Sequence, residues 1–152
     1  MKFYIASHSS NVYKVREAMA YVRSQGHEIT CDWTQHIQAL NEGHLSVPAW
    51  KICREDILGV DEAAAVIYLH TDKPSAGAWF EIGLAVGKGI PVAAIVGEQT
   101  KASMAALLDR FIFLNCQQWP TMEHSRFFIY QTIEEYLDQV RLESQHRREL
   151  LS

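Results

Sequence analysis

Two strand-like segments, Ala65–Leu69 and residues 92–96, flank a glycine-rich stretch running from Lys73 to Pro91, Lys73-Pro74-Ser75-Ala76-Gly77-Ala78-Trp79-Phe80-Glu81-Ile82-Gly83-Leu84-Ala85-Val86-Gly87-Lys88-Gly89-Ile90-Pro91. The stretch reads as one helix, so the three pieces form a strand-helix-strand unit with parallel strands. The helix then starts at the carboxyl end of the strands, where open α/β sheets hold ligands. One carboxylate, Glu81, stands inside this otherwise apolar helix and needs an explanation.

The rest of the chain repeats the alternation. Residues 3–6 read as a first strand, followed by the polar turn Ser7-His8-Ser9-Ser10-Asn11. Val12, Val15, Ala18, Met19 and Val22 recur at helical spacing, with Ser10 or Asn11 as a cap and Gly26 as the stop. Residues 27–33 form a second strand, and 34–47 lack clear periodicity and read as a loop. Pro48 suits the first turn of a helix through Trp50, Ile52, Ile57 and Leu58, leading to Gly59. Beyond the glycine-rich helix the pattern predicts a short helix over 102–109, a strand over 111–114, a small extra strand at Phe127–Tyr130 and a long C-terminal helix within 131–150. The expected fold is α/β: a single domain over residues 1–152, with a doubly wound, Rossmann- or flavodoxin-like parallel sheet of about five strands and helices on both faces.

A chain of 152 residues can bury a core without disulfides or metal. Its net charge of −4, with no lysine-arginine block, argues against gripping a nucleic-acid backbone. No segment reaches the roughly 18 apolar residues that span a bilayer. Cys31, Cys53 and Cys116 are odd in number and widely spaced, which fits a reducing cytoplasm better than a disulfide framework. The seven histidines show no paired metal spacing, so neither a metal nor another cofactor is expected.

Glu81 falls in the first turn or two of its helix, where the macrodipole favours an ionised acid. That placement serves helix stability as well as chemistry. Gly77, Gly83 and Gly87 cost helix stability of ~1 kcal/mol each, which close approach of a ligand or tight helix-on-sheet packing would equally explain. Asp56 reads either as a solvated helix acid or as a second carboxylate facing the same crevice, and Asp61 competes with it but looks like a turn residue. Two acids in one crevice can divide the breaking of a glycosidic bond, one attacking the sugar carbon and one assisting the leaving group. Asp32-Trp33-Thr34 offers a base pocket in which Trp33 would stack, or a buried core tryptophan.

Three stretches carry a resemblance: Phe3-Tyr4-Ile5-Ala6-Ser7; Asp56-x-x-Gly59 with Ala63-Ala64-Ala65-Val66-Ile67; and Gly77-Ala78-Trp79-Phe80-Glu81-Ile82-Gly83-Leu84-Ala85 with Gly89-Ile90-Pro91-Val92. They resemble the nucleoside 2-deoxyribosyltransferase superfamily, which includes 2′-deoxynucleoside 5′-monophosphate N-glycosidases. The resemblance implies Glu81 as the nucleophile on the anomeric carbon, Tyr4 as the residue that orients it and Asp56 as the acid near sugar and base. Water would make the enzyme a hydrolase, a second base a transferase.

Ser75, six residues before Glu81, stands where the nucleoside transferases tend to carry an aspartate. A serine hydroxyl beside free N–H groups at a helix start can hold a 5′-phosphate, which a carboxylate would repel; a plain helix cap is the other reading. The substrate-binding candidates are therefore Ser75, Gly77, Ser7, His8 and Trp33, with Arg16 or Lys73 as helpers. Ala63-Ala64-Ala65 supplies no acid where the superfamily often has Ala-Asp, and Ala78 replaces its usual threonine. The expected activity is N-glycosidic cleavage of a nucleoside 5′-monophosphate or nucleoside, hydrolysis ahead of transfer, with a non-catalytic nucleotide-binding module as the alternative. The aromatic tail (Trp119, Phe127, Phe128, Tyr130, Tyr136) and the resemblance together suggest a homodimer or larger homo-oligomer.

Overall fold

The computed structural model describes residues 1–41, 47–71, 73, 75–97 and 127–151. In chain order they form β1 (Lys2–Ala6), α1 (Val12–Ser24), β2 (Glu28–Ile29), α2 (Thr34–Asn41), α3 (Ala49–Asp61), β3 (Ala65–Leu69), α4 (Ala76–Gly87), β4 (Val92–Ile95), β5 (Phe127–Tyr130) and α5 (Ile133–Leu150). The strands join in one parallel sheet of order β2-β1-β3-β4-β5, four strands of four or five residues and a two-residue edge. This is the doubly wound α/β arrangement expected from the alternation.

Local sequence accounts for most of it. In α1 the residues Val15, Ala18, Met19 and Val22 form one buried stripe. Gly26 then takes φ +79°, a left-handed conformation that ends the helix and lets His27 N–H reach back to the Val22 carbonyl. All five residues of β3 are buried, as a central parallel strand covered on both faces requires. Pairing of Tyr4 with Val66 and Ala6 with Tyr68 puts these side chains on the sheet face covered by α3 and α4. Phe3 and Ile5 point the other way, and Phe3 meets the Tyr136 ring of α5 edge-on at 6.0 Å.

Three expectations change. The strand over 27–33 shrinks to Glu28–Ile29, because after Thr30 the chain turns inward to bury Trp33. The loop over 34–47 begins instead with α2. Its first residue, Thr34, is 1% exposed and is held by Arg16, whose Nε donates to Thr34 Oγ1 at 3.1 Å and whose Nη2 donates to the Thr34 carbonyl at 3.2 Å. A tertiary contact thus supplies what the local pattern lacks. Gly59 lies inside α3 rather than after it, and Asp61 closes that helix with an ion pair to Lys88. The helix expected over 102–109 and the strand over 111–114 lie outside the described residues, while Phe127–Tyr130 is a full parallel partner of β4. Among the described residues no helix is long and apolar enough to cross a membrane.

Candidate active site

The strand order reverses direction between β1 and β3, so the crevice at their carboxyl ends is the topological switch point. Tyr4 of β1 is fully buried, and its hydroxyl donates to Glu81 Oε1 at 2.8 Å, across 77 residues of sequence. Glu81 stands in the second turn of α4, whose N-terminus is capped by Ser75 and whose buried stripe is Ala78, Ile82 and Ala85. Every buried side-chain polar atom among the described residues has a hydrogen-bond partner. Glu81 Oε2 has none there, so it keeps some exposure while Oε1 is tethered.

The electrostatics correct one expectation. The second turn is past the reach of the dipole's strongest effect, and burial pushes the Glu81 carboxyl up to about 7. The Tyr4 hydrogen bond pulls against that shift, and the negative charge of Asp56 adds to it. Near neutral pH Glu81 is therefore poised between acid and carboxylate rather than fully ionised. Burial, and then the nearby Glu81 and Asp56 charges, raise the Tyr4 hydroxyl far above its ordinary value, so it remains a donor at any working pH.

Asp56 and Gly59 are one helical turn apart on α3 and face the same way. Asp56 Oδ1 accepts the Cys31 thiol at 3.6 Å. A Cβ built on Gly59 would lie 2.6 Å from Cys31 Cβ and 3.0 Å from Tyr4 Cδ2, so only glycine lets β1, α3 and the segment after β2 close together. The Asp56-x-x-Gly59 spacing thus places an acid and a side-chain-free gap on one face. Burial raises the Asp56 carboxyl, opposed by the Cys31 hydrogen bond and by His36, while the Glu55 charge raises it further. Asp56 and Glu81 sense each other's charge, so the two acids share one electrostatic environment.

The binding candidates divide. Ser75 is the helix cap, its Oγ accepting Ala78 N–H at 3.2 Å. Gly77 is exposed, and among the described residues nothing outside the local α4 backbone lies within 4 Å of a Cβ placed on Gly77, Gly83 or Gly87. Packing of α4 on the described sheet residues therefore does not explain these glycines. Ser7 is buried, donating to the Leu69 carbonyl at 2.8 Å and accepting from Asn11 Nδ2 at 3.0 Å, so its hydroxyl ties the ends of β1 and β3. His8 Nδ1 accepts the Ser10 N–H at 3.0 Å, which leaves the ring proton of the neutral form on Nε2. Trp33 is a core residue, 7% exposed with its indole N–H donating to the Ile5 carbonyl at 2.7 Å; it presents no free face for stacking. Arg16 is committed to Thr34.

Cys31 is the residue that sequence reasoning missed. The sequence alone sets Cys31 inside the strand expected over 27–33 and offers only the count and spacing of the cysteines as a signal. His36 was likewise counted only as a missing metal ligand, yet its Nε2 lies 3.0 Å from Glu55 and its charge acts on Asp56. Among the described residues no group of three or more His, Cys, Asp or Glu is placed to hold a metal ion.

Comparison with known proteins follows the same lines. The chain is similar in structure to the CMP N-glycosidase BcmB of Clostridium botulinum, at TM-score 0.58 and 15% identity, covering 94% of this chain and 99% of that one. It is also similar to BlsM in its solution structure, at TM-score 0.56 and 16% identity, covering 88% of this chain and 82% of that one. No curated protein matches it. At such identities the likeness concerns the fold, whereas the sequence profile described as nucleoside 2-deoxyribosyltransferase matches residues 3–142, nearly the whole chain. By that match the chain belongs to the nucleoside 2-deoxyribosyltransferase family of enzymes.

Proposed function

We propose that this protein cleaves the N-glycosidic bond of a nucleoside 5′-monophosphate or nucleoside, with Glu81 as nucleophile. The observation that carries the reading is the Tyr4–Glu81 pair: one oxygen is fixed by a 2.8 Å hydrogen bond and the other has no partner among the described residues. A group so oriented is suited to in-line attack. Oε2 bonds to the anomeric carbon as the bond from that carbon to the base nitrogen breaks. The base leaves with the bonding pair and takes a proton from Asp56, whose raised affinity for it suits a general acid, or from water. Water then attacks the anomeric carbon of the sugar-glutamate ester and gives a proton to Asp56 or to solvent; the bond from that carbon to Oε2 breaks, which releases the sugar or its 5-phosphate and restores the carboxylate.

Hydrolysis is favoured over transfer to a second base, and a monophosphate over a nucleoside. The support is Ser75 at the start of α4, close to the exposed Gly77, with a hydroxyl rather than a carboxylate at the cap position itself. The structurally similar CMP N-glycosidase is consistent with that choice. His8 adds an outward Nε2–H at the same end of the sheet. The free thiols Cys31 and Cys53 fit a cytoplasmic enzyme. No cofactor takes part in this scheme.

The test is a panel of nucleosides and their 5′-monophosphates, scored for free base with the wild type and with Glu81→Ala. Base release should fall by at least about a thousandfold in the variant, as for loss of a covalent nucleophile. Release by wild type from no substrate would leave the non-catalytic binding module as the better reading. Release from nucleosides alone would remove the role given to Ser75.

A homodimer or larger homo-oligomer completes the proposal, on broader grounds than the tail aromatics. Tyr130 and Tyr136 pack on each other at 5.0 Å, and Trp119 lies outside the described residues. Phe128 of the tail is 48% exposed, and a second apolar surplus lies on α3 and α4, where Trp50 is 65% and Phe80 59% exposed, with Ile57 and Leu58 also uncovered. Light scattering at micromolar concentration should give at least twice the monomer mass; Trp50→Ser with Phe80→Ser should lower it.

A further inference from the structure

Cys31 meets the site at three points. Its thiol donates to Asp56 Oδ1 at 3.6 Å, its Cβ occupies the space that any side chain at position 59 would need, and the same missing side chain admits the Tyr4 ring. Asp56 Oδ1 is thereby tethered while Oδ2, with no partner among the described residues, keeps some exposure, as Glu81 Oε2 does. Each candidate acid thus has one oxygen held by a neighbour's proton and one available to substrate. Tyr4 holds the first acid and Cys31 the second, and the two holders lie against the same glycine.

We propose that Cys31 is a positioning residue for Asp56: its thiol fixes the orientation of that carboxyl, and Gly59 is glycine so that this thiol and Tyr4 fit side by side. The inference rests on the catalytic reading only in what Asp56 does to a substrate; the hydrogen bond itself operates in the resting protein. Burial, with the charges of Asp56, Glu55 and Asp32, pushes the Cys31 thiol up to about 12, so it stays protonated and able to donate throughout the working range. A group held that way is a poor nucleophile, which fits positioning better than thiol chemistry. Asp56 is faced by Cys31, by His36 and Glu55, and at longer range by Tyr4 and Glu81, so any reading of its titration must account for all five.

The experiment compares Cys31→Ser, which keeps a donor, with Cys31→Ala and Cys31→Val, which do not, the valine preserving bulk if alanine fails to fold. The Asp56 carboxyl carbon is titrated by NMR in the substrate-free protein, with Asp56→Asn to assign it. The expected result is a midpoint raised by about half a pH unit or more in the variants without a donor, a shift well within what one hydrogen bond to a carboxylate commands, and restored in Cys31→Ser. With a substrate in hand, kcat should fall more than KM rises in Cys31→Ala, again with rescue by serine. Superimposable titrations in all four proteins would overturn the proposal, as would an equal shift in the serine variant, which would mark a packing effect. Because the titration needs no substrate, its failure is separate from any failure to find base release.

Discussion

The turn after β1 and the acid pair beneath it both sit at the carboxyl ends of the central strands, and both are rich in polar side chains. They use those side chains in opposite ways. In the turn, Ser7 is bonded on both sides, Asn11 bonds Ser7 and His8 caps Ser10, so the polarity is consumed in holding the backbone. In the acid pair, Tyr4 and Cys31 each hold one oxygen of a carboxyl and leave the other open. Residue type does not distinguish the two regions; the tally of donors against acceptors does. A hydroxyl whose bonds are already made stabilises the fold, and a carboxylate with one oxygen left over can do chemistry.

If this contrast is right, substitutions in the acid pair should move chemistry and the pH dependence of stability, and substitutions in the turn should move stability alone. The largest effect on stability should come from Glu81→Gln. The folded protein binds the Glu81 proton more tightly than the unfolded chain does, at about 7 against 4.5. Folding therefore suffers no penalty from this group below pH 4.5 and a growing one as pH rises towards 7, where the carboxylate must be kept buried. The glutamine variant should match the wild type in urea denaturation at pH 4.5 and exceed it at pH 8 by up to about 3 kcal/mol, from the linkage between proton affinity and stability. Equal stability at pH 8 would show Glu81 to be better solvated than its surroundings suggest.

Tyr4→Phe should come next. It removes a hydrogen bond to a charged group, worth ~1.5–3 kcal/mol, so kcat/KM should fall about tenfold to a hundredfold. Its second effect is diagnostic. The Tyr4 bond holds the Glu81 carboxyl down against burial, so the rising limb of the pH–rate profile, expected near 7 in the wild type, should move to higher pH in the variant. A drop in rate with no movement of the limb would mean that Tyr4 orients Glu81 without tuning it.

The smallest effect should come from Ser7→Ala. It leaves the Leu69 carbonyl without its partner and costs about 1 kcal/mol, a fall in Tm of roughly 2–4 °C for a chain of this size. Base release below the melting range should be unchanged. A large loss of activity with normal stability would place Ser7 with the acid pair and end the contrast.

The elements most legible in the sequence were those with a strong local period or a strong punctuation mark: the buried stripe of α1, the all-apolar β3, the Ser75 cap and the long α5. Those misread depended on distant partners. Residues 34–41 became a helix because Arg16 secures Thr34, and residues 30–33 left the sheet because the indole of Trp33 found the Ile5 carbonyl. The site divides the same way. Glu81 stood out as a lone acid in an apolar helix and Asp56-x-x-Gly59 as a motif, whereas Cys31 carried no mark of its own.

What the sequence by itself determined was the alternation of β1, α1, α3, β3, α4 and β4, and with it the crevice at the ends of β1 and β3, because periodicity and turn chemistry act over neighbouring residues. Only the tertiary structure decided that Glu81 is poised near pH 7 rather than ionised, that Ser7 is spent on Leu69 and that Cys31 holds Asp56. Proton affinity and hydrogen-bond satisfaction depend on what surrounds a group in space, and here those surroundings come from segments far apart in the chain.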